Sequence, residues 1–296
     1  MDPFLAAAIF LAGLAFGSFL NVCISRIPRD LSIIQPRSSC PHCKTPIHFR
    51  DNVPLLSWVR LRGRCRDCRH PISWRYPAVE LLTALLFVAC YAAFGLTGQG
   101  AKTCLFCFLT LGLIFMDAET GLLPREFTYS GTGLGLLFAW FVSGDFSATE
   151  FLSHVFGCRV TMTDRGLSLL DAVLASVFAA GFFYLAWALY YLVRKREGIG
   201  IGDIAFAAMI GAFLGLKLAV LAVFLAPVLG TIYAAILLFT HRGTATHEPG
   251  GLRSGSGSTE ELLRQEVPFG VFLGVSALFA LFFGQHAWSF YLGLFR

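Results

Sequence analysis

The chain has 296 residues, of which 56% are hydrophobic and 14% charged, with a mean hydropathy of +0.69 and a net charge of +5. Soluble domains carry roughly 25% charged residues, so a soluble enzyme and a disordered chain are both excluded. Thirty phenylalanines and thirty glycines point the same way, since glycine is commoner in membrane helices than in soluble ones. The expected fold class is an α-helical polytopic membrane protein.

In chain order, the apolar run 3–24 is long enough to cross a hydrocarbon core, which takes about 20 helical residues. It lacks a basic leader and a small-residue cleavage pattern, so it is read as a retained span and not a signal peptide. Further spans are predicted near 77–97, 103–118, 127–143, 169–193, 203–216, 218–240 and 269–290, eight in all. The segment 203–216 is short enough to tilt or re-enter. No internal repeat is evident. The segment 144–168 reads as an aqueous loop, and Gly250–Thr259 as a flexible Gly/Ser-rich linker. The domain reading is therefore a first span at 1–25, an inserted loop domain at 26–76 and a helical membrane domain at 77–296.

Charge is concentrated in the insertion. Residues 26–76 hold eleven basic and three acidic side chains, a local excess of +8. The positive-inside rule puts this block in the cytoplasm and the N-terminus outside. Threading eight spans from there also puts Arg194-Lys195-Arg196 and the 242–264 loop in the cytoplasm, so the charges and the span count agree.

The insertion carries Cys40-Pro41-His42-Cys43 and Cys65-Arg66-Asp67-Cys68, a C-x2-C-x21-C-x2-C pattern. Two short turns offering two thiolates each suit a tetrahedral zinc ion. Two disulfides or free thiols also satisfy the spacing, but a cytoplasmic loop disfavours disulfides. A closed four-sulfur site would hold shape and do no chemistry. His42, His48 and His70 are read as bystanders. The arginines around the cysteines raise nucleic-acid binding as an alternative; topology and the anionic inner leaflet explain them better, and no nucleic-acid partner is expected. Cys104 and Cys107 form another C-x2-C, but lie in an apolar span and are read as packing residues.

Acids inside membrane spans are expensive and mark function by default. The candidates are Glu80, Asp117, Glu119, Asp171 and Asp203. Asp171 lies near the outer end of its span, where it could be hydrated. Glu80 could pair with Arg75, and Glu119 cannot share a helix face with Asp117. Asp117 and Asp203 stand apart. Asp117 ends an apolar run before Gly121-Leu122-Leu123-Pro124, and Asp203 follows the alternating glycines Gly198, Gly200 and Gly202. The topology brings both to the cytoplasmic side at one depth. A close carboxyl pair shares one proton, so one member can activate water while the other protonates a peptide carbonyl. The competing reading is two separate structural acids, with Asp203 as a helix N-cap.

Several motifs then occur in one order: Gly17-Ser18-Phe19-Leu20-Asn21-Val22, the two C-x2-C pairs, Ser73-Trp74-Arg75-Tyr76-Pro77 with Glu80, Asp117 with Leu122-Leu123-Pro124, Gly200-Ile201-Gly202-Asp203, and Val267-Pro268-Phe269-Gly270. Over most of its length the chain resembles the type IV prepilin peptidases, membrane aspartyl proteases of type IV pilus and type II secretion systems. The resemblance implies cleavage of prepilin or pseudopilin leaders after a glycine, at the cytoplasmic face of a bacterial inner membrane. It also implies methylation of the new N-terminus from S-adenosylmethionine. It places the catalytic pair on Asp117 and Asp203 and the zinc ligands on Cys40, Cys43, Cys65 and Cys68, with Gly200 and Gly202 in support. No glycine-rich nucleotide loop is found, so the methyl-transfer residues are unassigned. Arg125 stands where the family usually has an acid after Leu-Leu-Pro, and the 144–168 and 250–259 segments are longer than the family minimum. Two other classes compete: a presenilin-like intramembrane aspartyl protease, which would not need the cysteine loop, and a proton-coupled transporter with a zinc ribbon, whose paired interrupted halves are not evident.

Overall fold

The computed structural model describes residues 1–142, 163–195, 200–242 and 268–293. Arg196, Gly198, most of the 144–168 loop with Cys158, the Gly250–Thr259 linker and Val267 lie outside the described residues.

Among the described residues the regular structure is all-helical: α1 (Pro3–Arg26), a single turn α2 (Leu56–Arg60), α3 (Arg75–Phe94), α4 (Gly98–Thr120), α5 (Arg125–Phe141), α6 (Asp164–Arg194), α7 (Ile201–Arg242) and α8 (Phe269–Gly293). Among the described residues six helices, α1, α3, α4, α6, α7 and α8, are long and apolar enough to cross a membrane. The expected eight spans are reconciled by two details. α5 has 17 residues and falls just short of that length, and α7 is broken at Gly215, whose φ of 74° and ψ of 173° interrupt the helix. The segments 203–216 and 218–240, read separately in the sequence, are thus two arms meeting at a glycine.

Local chemistry explains where the helices begin. Asp2 accepts a hydrogen bond from Phe4 N at 2.9 Å with Pro3 in the first turn, and Thr97 accepts from Gly100 N at 3.1 Å. These side chains satisfy amide groups that have no partner within their own helix. α1 lies against α3 through Gly17, where a Cβ would sit 2.6 Å from Glu80 Cα. Asn21 adds a donor to Tyr76 O at 3.0 Å. The Gly-Ser-Phe-Leu-Asn motif is therefore a close helix contact with a polar tie. A core of fully buried side chains lies among α4, α7 and α8, formed by Phe106, Leu113, Met116, Phe206, Met209, Ile210 and Leu273. Cys107 is buried in this core and Cys104 half-buried beside it.

Candidate active site and four-cysteine centre

The insertion is built from two copies of one turn. Cys40 N donates to Thr45 O at 3.0 Å and Lys44 N to Cys40 O at 2.9 Å; Cys65 N donates to His70 O at 2.9 Å and Arg69 N to Cys65 O at 3.1 Å. Lys44 and Arg69 both take positive φ, at 61° and 60°, and isolated bridges pair Ser39 with Pro46 and Arg64 with Pro71. The sequence does contain this short repeat, with C-x-x-C-[KR]-x-P-I occurring twice, 25 residues apart.

The four sulfurs lie within 4.8 Å of one another. Cys40 Sγ and Cys68 Sγ are 3.8 Å apart, and Cys43 Sγ and Cys65 Sγ 4.0 Å. A tetrahedral ion with metal–sulfur bonds of about 2.3 Å requires sulfur separations of about 3.8 Å. The donor set and its spacing fit a four-thiolate metal site, and all four cysteines lack disulfide partners. The Thr45 hydroxyl, 3.3 Å from Cys43 Sγ, and the Thr45 amide favour the thiolate and draw Cys43 down to about 6. His42 and His70 stack on each other with ring centroids 4.5 Å apart. Beneath the turns, Trp58 packs on Gly63 and its indole N–H donates to Ile72 O at 3.3 Å. Arg66 clamps Asp51, with Nε 2.7 Å from Oδ2, and the guanidinium holds that carboxyl below its ordinary value.

The acids seen in the sequence fall into different environments. Glu80 does not pair with Arg75; its Oε2 accepts from Leu55 N at 2.8 Å, anchoring a loop residue at φ 58°. Arg75 instead bonds both oxygens of Glu119, at 2.6 and 2.7 Å, and Ser25 Oγ at 3.0 Å. This bridge ties the end of α1, the start of α3 and the end of α4 together. The insertion and the C-terminal end of α4 are therefore on one face of the helical bundle.

Asp117 lies on that face in the last turn of α4, which closes with Gly121 donating to Asp117 O at 2.8 Å. The chain then runs extended through Leu123 to Pro124, which precedes α5. Asp203 is the third residue of α7, not its N-cap. Its Oδ2 reaches back to accept from Gly200 N at 3.2 Å, while its own amide donates to Gly200 O at 3.1 Å. The reciprocal bonds close the helix start, as a capping box does.

Leu123 brings the two acids into one site. A Cβ on Gly202 would lie 2.8 Å from Leu123 Cβ, and one on Gly270 would lie 3.1 Å from Leu123 Cδ1. The same Cβ on Gly270 would fall 2.9 Å from Asp117 Oδ2. That approach lets Val271 N donate to Asp117 Oδ2 at 3.0 Å, so the first turn of α8 presents its amides to the carboxylate. The Val-Pro-Phe-Gly motif, singled out in the sequence without a role, supports Asp117. Asp117 is 6% exposed and Asp203 9%, and they are close enough for their charges to interact. Arg125 is exposed at the start of α5.

Fold and site together define a multi-pass membrane protein with a buried acid pair and a four-thiol cluster on one face of its helices. Residues 11–94 match the bacterial Peptidase A24 N-terminal domain, and residues 104–235 match the type IV leader peptidase family. The chain belongs to the type IV leader peptidase family. It is 33% identical to a prepilin leader peptidase/N-methyltransferase of Aeromonas hydrophila, covering 96% of this chain and 92% of that one. A Bacillus subtilis protein of the same name is 31% identical with 96% of each chain covered. The Myxococcus xanthus protein of that name is 38% identical over 72% of this chain, which spans only 57% of its length. No solved structure matches the chain.

Proposed function

We propose that this bacterial membrane enzyme cuts the leader from prepilin-type proteins with Asp117 and Asp203 as its catalytic acids, and then methylates the new N-terminus. The observation that carries the reading is the convergence of two buried carboxylates, 86 residues apart in sequence, around Leu123 and Gly270. With one proton shared between them, the ionised carboxylate takes a proton from water, and the resulting hydroxide adds to the scissile carbonyl carbon. The protonated carboxyl gives its proton to the carbonyl oxygen. Collapse of the tetrahedral carbon breaks the C–N bond, and the amine leaves with a proton returned from the pair. Val271 N and Gly200 N each hold one carboxylate oxygen in place, which leaves the other oxygens for water and substrate.

The positive excess of 26–76 places the acid-bearing face in the cytoplasm. A substrate whose apolar helix sits in the bilayer then offers its cleavage site at the depth of the pair. Cys40, Cys43, Cys65 and Cys68 would hold a zinc ion that supplies shape alone, since four thiolates would leave it no open position. S-adenosylmethionine is the methyl donor.

The test is co-expression with a prepilin-type substrate, reading cleavage and N-terminal mass. A shortened product beginning one residue after a glycine, heavier by one methyl group and labelled from S-adenosylmethionine, is expected. An unlabelled, fully cleaved product removes the methyltransferase half, and no cleavage removes both.

A further inference from the structure

A second buried charged pair lies at the opposite end of the helices. Lys102 stands fifteen residues before Asp117 on α4, about 22 Å of helix away. Asp171 lies in the second turn of α6 and acts electrostatically on Lys102. The sequence left open that Asp171 is hydrated, but it is 3% exposed and Lys102 6%. Neither takes part in the proposed reaction. Charges inside a membrane span are costly wherever they lack a structural or functional return.

What Asp171 touches points to its use. A Cβ at Gly215 would lie 2.6 Å from Asp171 Oδ2, so this carboxylate sits at the break in α7. A helix break strands the last carbonyls of one arm and the first amides of the next, and such groups need partners where packing excludes water. The amide end of the second arm favours an anion, and Lys102 is near enough for the two charges to interact. The side chain also fills the only space that a residue larger than glycine would take at position 215.

The geometry of the break matters because of what lies beyond it. The first arm, residues 201–214, carries Asp203 twelve residues before Gly215, about 18 Å along the helix. A tilt of about 10° at the break moves Asp203 by about 3 Å at that lever length, and a 1 Å misplacement can cost on the order of 100-fold in rate. The arm lies against α6 where a Cβ at Gly211 would fall 2.5 Å from Ala175 O, and against α5 where Met209 meets Gly131. α6 thus holds the arm along its length and, through Asp171, at its hinge.

We propose that Asp171, charge-balanced by Lys102, is a positioning residue that fixes the Gly215 break and thereby sets Asp203 against Asp117. The inference rests on the proposed role of Asp203, so its test includes a distance as well as an activity. Spin labels at exposed Ala118 and Ile201, in the full chain reconstituted in nanodiscs, report the separation of α4 and the first arm of α7. In D171N the distance distribution is expected to broaden or shift by about 3 Å. Cleavage should lose at least about tenfold in kcat with KM within about twofold, and D171E should recover part of both. K102M should move both readouts in the same direction by less. Where D171N does not accumulate, D171E and K102M carry the same comparison. Wild-type distances in D171N overturn the proposal whatever happens to cleavage, and a broadened distance with wild-type kcat overturns the link to Asp203. Full cleavage by D117N and D203N alongside a broadened D171N distance sinks the catalytic reading while leaving the hinge reading intact.

Discussion

The four-cysteine insertion and the acid pair sit on one face of the molecule, and each brings together groups from separate stretches of chain, yet they are held by different means. The insertion spans about fifty residues and builds little core beyond Trp58; a chain of that size draws only about 3–5 kcal/mol from burial. A structural zinc ion on the four thiols would contribute on the order of 10 kcal/mol and would dominate the folding of the insertion. The acid pair has no such crosslink. Asp117 and Asp203 are placed by packing, through Leu123 between two glycines and through the first turns of α7 and α8. A metal centre is therefore sensitive to its ligands, and a packed site to its neighbours.

That contrast is sharpest at the carboxylates. Asp117→Asn or Asp203→Asn should each lower cleavage of a prepilin-type substrate by at least about 1,000-fold, since either change removes the shared proton. Substantial cutting by both variants, read by gel shift in membranes, breaks the aspartyl mechanism. Next in size, Gly270→Ala places a methyl group 2.9 Å from Asp117 Oδ2 and should cost about 10- to 100-fold in kcat. Gly133→Ala, which meets nothing within 4 Å, should leave the rate unchanged; equal losses in both would show that packing around Asp117 is not what places it.

On the side of the insertion, Cys40→Ser/Cys43→Ser should lose one zinc per chain by elemental analysis and expose residues 27–74 to protease. Zinc found at full occupancy in that variant refutes the four-sulfur site. The wild type should release its metal in acid, because the four thiolates must take up protons as the metal leaves. The smallest effect is expected for Asp51→Asn. Arg66 holds the Asp51 carboxyl low, so the pair's contribution is present above the unfolded value of about 3.9 and is lost as pH falls through the lower folded value. The variant should be more protease-sensitive than wild type at neutral pH, with the difference vanishing in strong acid.

The apolar spans, the four-cysteine cluster and the two buried acids are legible in the sequence because each is a local signal: a run of apolar residues, a two-residue spacing, a charge where charge is rare. The repeat of the two cysteine turns is also written in the sequence, as C-x-x-C-[KR]-x-P-I, but it covers only eight residues twice and so does not stand out as an internal repeat. Other relations are not legible there. Proximity along the chain offers Arg75 as one partner for Glu80, whereas Arg75 turns to Glu119 and Glu80 to the amide of Leu55. The competing reading of Asp203 as the N-cap of α7 gives way to a place in its first turn, from which the side chain reaches back to Gly200. Sequence spacing ranks partners within one helix, but it does not say which side chain of a neighbouring helix is closer.

Composition and charge placement alone determined that this is a multi-pass membrane protein with a compact basic insertion, because hydrocarbon tolerates so few charges that their positions stand out. Only the tertiary structure decided that Leu123 and Gly270 bring Asp117 and Asp203 into one site, and that Asp171 meets the break at Gly215. Those contacts join α4, α6, α7 and α8 across tens to more than a hundred residues of chain. They depend on ångström-scale packing between helices, which no periodicity in a single segment encodes.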